Sequence, residues 1–486
     1  MALQLEDPTL FKTEAFINGQ WVNGSDTFDV YNPATGEVIA SVASVGAEET
    51  RQAIECAQIA QRAWRARTAR ERSVILRRWY DLILANVDDL AIIMTSEQGK
   101  PLAEARAEIA NGASFIEWFA EECKRTYGDV IPTMAADRRL LTIKQPVGVV
   151  GAITPWNFPH SMLARKVAPA LASGCAFVAK PARETPLSAL ALAELGARAG
   201  IPAGVLNVLV GKSASAIGNE LTRNPIVRKI TFTGSTPIGK LLLEQSASTV
   251  KKVSMELGGN APVIVFDDAY LDKAVAGAIA SKYRNAGQTC ICANRILVQE
   301  NVYDEFADKF AAAVGKFTLG NGMDDGVTMG PLINTDAIAD VDSMVQDALE
   351  NGATALTGGQ PSALGDSFYE PTVLINVADT MRVFREEIFG PVAPLFKFKD
   401  EAEAIAMAND TEFGLVSYIY TRDIGRVWRV SEGVEYGMVG VNEVAIIGAE
   451  IPFGGVKQSG MGREGSKYGM DDYMEIKYIC MGDLHS

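Results

Sequence analysis

From Gly148 to about Asp268 short apolar runs alternate with helical patterns, and no other feature of the chain constrains its fold as tightly. Alternation of this kind is the mark of βαβ units around a parallel sheet. GVVGAIT reads as a strand, followed by a helix from about Pro159 to Ser173. CAFVAK is the next strand, and Thr185 and Pro186 cap and open a helix that ends at Gly200. VLNVLV, KITFTG and the stretch KKVSMELGG to APVIVF continue the sheet. Residues 46–128 read as mainly helical and amphipathic, and Asp129 to Lys144 as a hairpin-like stretch. Beyond the sheet, a helix from about Asp272 feeds into Asn285-Ala-Gly-Gln-Thr-Cys290, and a second α/β pattern runs to about residue 440. Tyr468 to Met481 reads as a strand leaving the body, an edge that invites pairing with another subunit.

A chain of 486 residues has room for two to four folding units at about 150 residues each. A net charge of −15 argues against a nucleic-acid partner, and no apolar run reaches the roughly 18 residues of a membrane span. With no signal-type apolar core at the start, the reading is a cytoplasmic protein without a membrane partner. Six scattered cysteines fit a reducing compartment. Two histidines, His160 and His485, leave little room for a metal site or a Ser-His-Asp triad. Chemistry then falls to Cys, Glu, Lys, Asn or a cofactor, with no metal.

Four short motifs carry that chemistry. Phe232-Thr-Gly234-Ser235-Thr-Pro-Ile-Gly239-Lys240 follows a strand and opens a helix, where backbone N–H groups and the helix dipole suit a pyrophosphate. It nearly spells a nucleotide-binding P-loop, but Leu241 stands where a magnesium-ligating hydroxyl is needed. A plain strand-to-helix turn is the other reading. Cys290 lies in a small-residue turn after a helix, its sulfur accessible; read alone, such a cysteine is more often an inert packing residue. Glu256 ends a strand beside glycines that admit other groups, placed as a base or as a mere cap or ion pair. Asn157, between Pro155 and Pro159 just past a strand end, has an amide able to donate to a developing oxyanion, or is a turn residue only.

Together these motifs resemble the aldehyde dehydrogenase superfamily along essentially the whole chain: TPWNFP at 154–159, FTGS at 232–235, ELGGNAP at 256–262, GQTC at 287–290, EEIFGPV at 386–392 and PFGGVKQSGMGREG at 452–465. The resemblance implies two α/β domains with parallel-rich sheets and a small β-ribbon for oligomerisation. It assigns 1–128 and 145–255 to a cofactor domain, 256–445 to a catalytic domain, and 129–144 with 466–486 to the ribbon of a homodimer or homotetramer. It implies Cys290 as nucleophile, Asn157 with the Cys290 N–H as oxyanion hole, and Glu256 as the base that activates water. Thr154, Pro155, Trp156, Lys180, Gly234, Ser235, Gly239, Leu257, Glu387 and Phe389 would hold NADP or NAD. In this family a Glu three residues after the ribose lysine pairs with NAD; here that residue is Arg183, which suits a 2′-phosphate, so NADP is expected to be preferred.

Within the superfamily, FIEWFAEE at 115–122, RNAGQTCICANR at 284–295 and GREGSKYGMDDYMEIKY at 462–478 resemble the bacterial succinate-semialdehyde dehydrogenases. That resemblance implies Arg165 and Arg284 as a clamp on a carboxylate, Phe453 beside the substrate, and Cys292 as a possible redox partner of Cys290. The serine that should also touch the carboxylate is missing from Ala445-Ile-Ile-Gly-Ala-Glu-Ile451. Glutarate semialdehyde, a sulfonated aldehyde or an uncharged short aldehyde stay open beside succinic semialdehyde, as does a catalytically silent binding protein.

Overall fold

The computed structural model describes residues 3–484, so His485 and Ser486, the end of the expected ribbon, lie outside the described residues with Met1 and Ala2. Two hairpins open the chain, β1 (Ala15–Ile17) with β2 (Gln20–Val22), and β3 (Asp26–Tyr31) with β4 (Val38–Ser44). Four helices follow, α1 (Ala47–Ala66), α2 (Ala69–Ala85), α3 (Val87–Gln98) and α4 (Leu102–Glu122). Their apolar faces close one large core in which Trp64 and Trp79 are buried. The hairpin-like stretch is β5 (Val130–Ile131) with β6 (Arg139–Pro146).

The alternating segment then unrolls as expected: β7 (Val149–Ile153), α5 (Pro159–Ser173), β8 (Ala176–Lys180), α6 (Pro186–Ala199), β9 (Leu206–Val208), α7 (Ala214–Arg223), β10 (Val227–Thr233), α8 (Thr236–Ala247) and β11 (Lys252–Glu256). β7, β8, β9, β10 and β11 run parallel in the order β11-β10-β7-β8-β9, with β1 and β2 added antiparallel beyond β9. Thr185 holds the cap position of α6 but makes no cap bond to it. The bonds come from Glu97 of α3, whose carboxylate accepts from the N–H groups of Leu187 and Ser188 at 2.8 Å each. A long acidic side chain from a packed helix has displaced the local cap.

The expected continuation of one sheet through APVIVF does not hold. β12 (Ala261–Val265) belongs to a second sheet with β13 (Ala293–Gln299), β14 (Thr354–Thr357), β15 (Thr372–Ile375), β16 (Val392–Phe398), β17 (Val416–Tyr420) and β18 (Met438–Val441), in the order β14-β15-β16-β13-β12-β17-β18. The chain changes sheet at Gly258 and Gly259. A β-carbon at Gly259 would lie 2.3 Å from the Cys290 carbonyl oxygen, and one at Gly258 would lie 2.8 Å from the Glu387 carboxylate. Glycine therefore lets the link pass between those groups. α9 (Leu271–Tyr283) joins β12 to β13. After β18 the chain returns to the first sheet through β19 (Gly460–Met461), antiparallel to β11.

The expected strand at Tyr468 starts later, as β20 (Met474–Met481), because Lys467–Tyr473 winds as a 3-10 turn that buries Met470 and Tyr473. β20 pairs antiparallel with β6, which reaches Pro146, in the three-stranded order β20-β6-β5. No helix among the described residues is long and apolar enough to cross a membrane.

Candidate active site

The C-terminal ends of β7, β10 and β11, the start of α5 and the turn before β13 converge on one thiol. That turn is forced into shape: Asn285 and Ala286 have φ of 52° and 53°, and Gly287 has φ of 76°. Non-glycine residues adopt this region only when their surroundings hold them there. Here the Asn285 N–H donates to Glu104 Oε2 at 2.9 Å and its Nδ2 to the Asn157 carbonyl at 2.9 Å. Gln288 Nε2 donates to the Asn285 carbonyl at 3.0 Å, while its Oε1 accepts from Ile333 N–H at 2.9 Å. A β-carbon at Gly287 would lie 2.1 Å from the Gly390 carbonyl, so this position admits glycine only.

Cys290 is half-buried at the junction of two cavities. Burial pushes its thiol up to about 12, with the Glu387 and Glu256 carboxyls adding to the rise while Arg165 and Arg284 oppose it. Glu256, 3% exposed at the end of β11, has both oxygens without a hydrogen-bond partner among the described residues. Burial first, and the Glu464 carboxylate second, hold it well above the usual carboxylate range. Asn157 Nδ2 donates to the Gln288 carbonyl at 2.9 Å, leaving one of its two N–H groups uncommitted, and the backbone N–H of Cys290 has no partner among the described residues.

The cavity on one side of the thiol, about 250 Å³, is lined by Pro155, Trp156, Asn157, Thr233, Gly234, Ser235, Leu257, Gly258, Glu387 and Phe389 among others. Trp156 and Phe389 meet edge to face at 5.5 Å, and Phe389 sits at φ 52°. Glu387 accepts from the Gly259 N–H at 3.1 Å, and burial pushes its carboxyl up to about 8. Ser235 stands at the cap of α8 with no cap bond, Pro237 follows, and Gly239 lies where a β-carbon would be 2.4 Å from Leu257. Thr154, Lys180, Gly239 and Arg183 stand outside this lining. Thr154 N–H donates to the Lys180 carbonyl at 3.1 Å, and Lys180 is buried with its Nζ on the Pro181 carbonyl at 3.2 Å. Arg183 is exposed, paired with Glu184 at 3.2 Å. An open helix N-terminus, a buried carboxylate able to accept ribose hydroxyls, and an aromatic slot fit a dinucleotide.

The cavity on the other side, about 220 Å³, is lined by Arg165, Arg284, Phe158, Phe453 and one stripe of α4, together with Ala445 and Ile447. Arg165 is 2% exposed between the rings of Phe453 and Phe115, at 4.5 and 4.9 Å, with Glu464 at 3.5 Å. Its Nε and Nη1 have no hydrogen bond among the described residues. Arg284 lies 5.2 Å from the Phe158 ring and forms no ion pair among the described residues. Ala445 and Ile447 present only hydrocarbon, so the missing loop hydroxyl is missing from the wall as well. Cys292 does not line this cavity. Its buried sulfur is held by Lys282 Nζ at 3.3 Å, a contact that pairing with Cys290 would have to break.

Sequence reasoning missed the α4 stripe of Glu104, Ala107, Glu108 and Asn111, the buried Lys100 and Glu108 pair, and Glu464 with Lys166. A signal existed for the stripe. Its i, i+3, i+4, i+7 spacing puts two carboxylates on one face of the helix, Glu104 half-buried and Glu108 buried, and a buried carboxylate is seldom tolerated without a reason.

A thiol between a dinucleotide-shaped cavity and a cationic one defines an enzyme that oxidises through sulfur, and the sequence comparison says which. The family model described as the aldehyde dehydrogenase family matches residues 21–479, and the chain belongs to that family. It is 60% identical over 482 residues to the NADP(+) succinate-semialdehyde dehydrogenase of Escherichia coli K12, covering 99% of this chain and 100% of that protein. It is also 60% identical over 484 residues to the glutarate-semialdehyde dehydrogenase of Pseudomonas aeruginosa, covering 99% and 100%. A crystal structure of succinate-semialdehyde dehydrogenase from Burkholderia pseudomallei superposes with a TM-score of 0.98 at 60% identity, covering 99% of this chain and 100% of that one.

Proposed function

We propose that this aldehyde dehydrogenase oxidises a short anionic aldehyde, succinic semialdehyde to succinate, with NADP preferred over NAD. One observation carries the reading: two guanidiniums with uncommitted donors line the cavity that contains Cys290. A cation buried without a full set of partners is costly unless a ligand completes it. The relatives named for succinate and glutarate semialdehydes both act on aldehydes that carry a carboxylate, in keeping with this.

In this reading Cys290 gives up its thiol proton to water and the thiolate Sγ adds to the carbonyl carbon. The oxyanion accepts from the free Asn157 Nδ2–H and the Cys290 N–H. Glu387, Phe389, Trp156, Lys180, Arg183 and the α8 N-terminus would hold NADP, which would supply the hydride acceptor. The thioester left on Cys290 is cleaved by water, whose proton Glu256 takes. The first sheet with its helices is the cofactor-binding part and the second the catalytic part. The β20-β6-β5 ribbon makes a homodimer or homotetramer, and the enzyme works in the cytoplasm.

The test compares initial rates of NADPH formation with succinic semialdehyde and with butanal, which has the same length without the charge. A kcat/KM advantage of about 30- to 150-fold for the anion, the worth of a charged hydrogen-bonded pair, supports the clamp, and it should collapse in Arg284→Ala. Equal rates would sink the anionic substrate while leaving the family untouched. Since Ala445 and Ile447 offer no hydroxyl, glutarate semialdehyde is the second substrate to assay.

A further inference from the structure

The cavity that holds two arginines also holds two carboxylates, and they are not equivalent. Glu108 is buried and neutralised: Lys100 pairs with it, and its Oε1 accepts from the N–H groups of His160 and Ser161 at 3.0 and 3.1 Å. Glu104, one turn earlier on α4, has no cation within ion-pair distance among the described residues. Its Oε2 takes a single hydrogen bond, from the Asn285 N–H. Glu104, Arg284 and Cys290 share the cavity wall, and the charge of Arg284 is felt at Glu104 without the two touching. A half-buried carboxyl on the same cavity wall as an uncommitted guanidinium is placed to oppose any anion that enters.

We propose that Glu104 is a specificity-determining residue that limits how strongly the cavity holds an anionic aldehyde. As a carboxylate it competes with the substrate anion for Arg284; as a neutral acid it leaves that guanidinium to the substrate. The inference rests on the anionic-substrate reading above. Burial lifts the Glu104 carboxyl above the usual carboxylate range, against the pull of Lys100, the Asn285 N–H and Arg284, so its neutral form persists to higher pH than that of a free carboxyl. The charged or titratable groups facing it are Lys100 from the turn before α4, Glu108 on α4, Arg165 on α5, Arg284 at the end of α9, and Cys290.

The experiment measures kcat/KM for succinic semialdehyde and for butanal from pH 6 to pH 9 in the unaltered enzyme and in Glu104→Gln, which keeps the length of the side chain and the acceptor for Asn285. Cys290 and Glu256 serve both aldehydes, so their titration cancels in the ratio. The ratio of anionic to neutral substrate is expected to fall as pH rises in the unaltered enzyme. In the variant it should stay flat, about tenfold higher at pH 9, the effect of removing one like charge from a partly buried site. A second reading needs no substitution: the inhibition constant of succinate against butanal oxidation should rise from pH 6 to pH 9. A fall of the ratio that persists in Glu104→Gln, or a high ratio and a succinate constant that both ignore pH, overturns the role of Glu104 alone. A ratio near one at every pH brings down the anionic-substrate reading with it.

Discussion

At the scale of the residue, the site is a set of groups held in their uncharged forms. The Cys290 thiol and the Glu256 carboxyl are both pushed toward the protonated state by burial. Both must lose that proton to work, so kcat with either aldehyde is expected to rise from pH 6 to pH 9; a maximum near pH 6 would contradict this. If Glu256 is needed only to release the acid, Glu256→Gln should still form about one NADPH per site in a burst, followed by turnover slowed about 100-fold or more. Unchanged steady turnover would remove Glu256 from the reaction. Arg183 spends only an exposed pair with Glu184, a contact worth about 0 to 1 kcal/mol, and so is free for a phosphate. Arg183→Glu should therefore shift kcat/KM from NADP toward NAD by about tenfold or more, and equal ratios before and after would assign Arg183 no part in cofactor choice. The groups legible in the sequence are those whose chemistry is local: a thiol in a small-residue turn, a carboxyl before two glycines, an asparagine between prolines. The pairing of Glu464 with Lys166 was not legible, since the two lie 298 residues apart and meet only through the packing of α5 against the 464 turn, and the pairing of Lys100 with Glu108, eight residues on, was not legible because it depends on how the chain turns into α4.

At the scale of the element, α4 and α5 fit together through His160. A β-carbon on Gly112 of α4 would lie 2.3 Å from His160 Nδ1, and neither ring nitrogen has a partner among the described residues. Burial lowers the imidazole to about 3 from its ordinary 6.5. A histidine depressed in the folded state contributes stability that is fully present above pH 6.5 and lost as pH falls toward 3. Between pH 7 and pH 5 the loss from this residue is about 2 kcal/mol. The thermal midpoint should drop over that interval, and the drop should be smaller in His160→Ala; parallel drops would place the acid sensitivity elsewhere. The βαβ run from β7 to β11 was readable because period and punctuation agree there. The transfer of β12 to another sheet was not, because a strand's sequence records that both faces are buried and says nothing about which neighbours bury them. Glu97 displacing Thr185 at the cap of α6 is the same lesson on a smaller scale.

At the scale of the molecule, the ribbon carries apolar side chains outward. Ile476 is 71% exposed and Tyr478 56%, on β20, the edge strand of its sheet. A strand of this kind is soluble when something covers it. The double variant Ile476→Lys, Tyr478→Lys is expected to elute at a smaller size than the unaltered chain on size exclusion, with the ribbon's role lost if the two coincide. The two cavities share only Cys290 and Met162 in their linings. That near-separation makes the enzyme a two-part instrument. Residues that choose the aldehyde can drift under selection while those that hold the dinucleotide stay fixed, and a descendant can acquire a new substrate without relearning its redox chemistry.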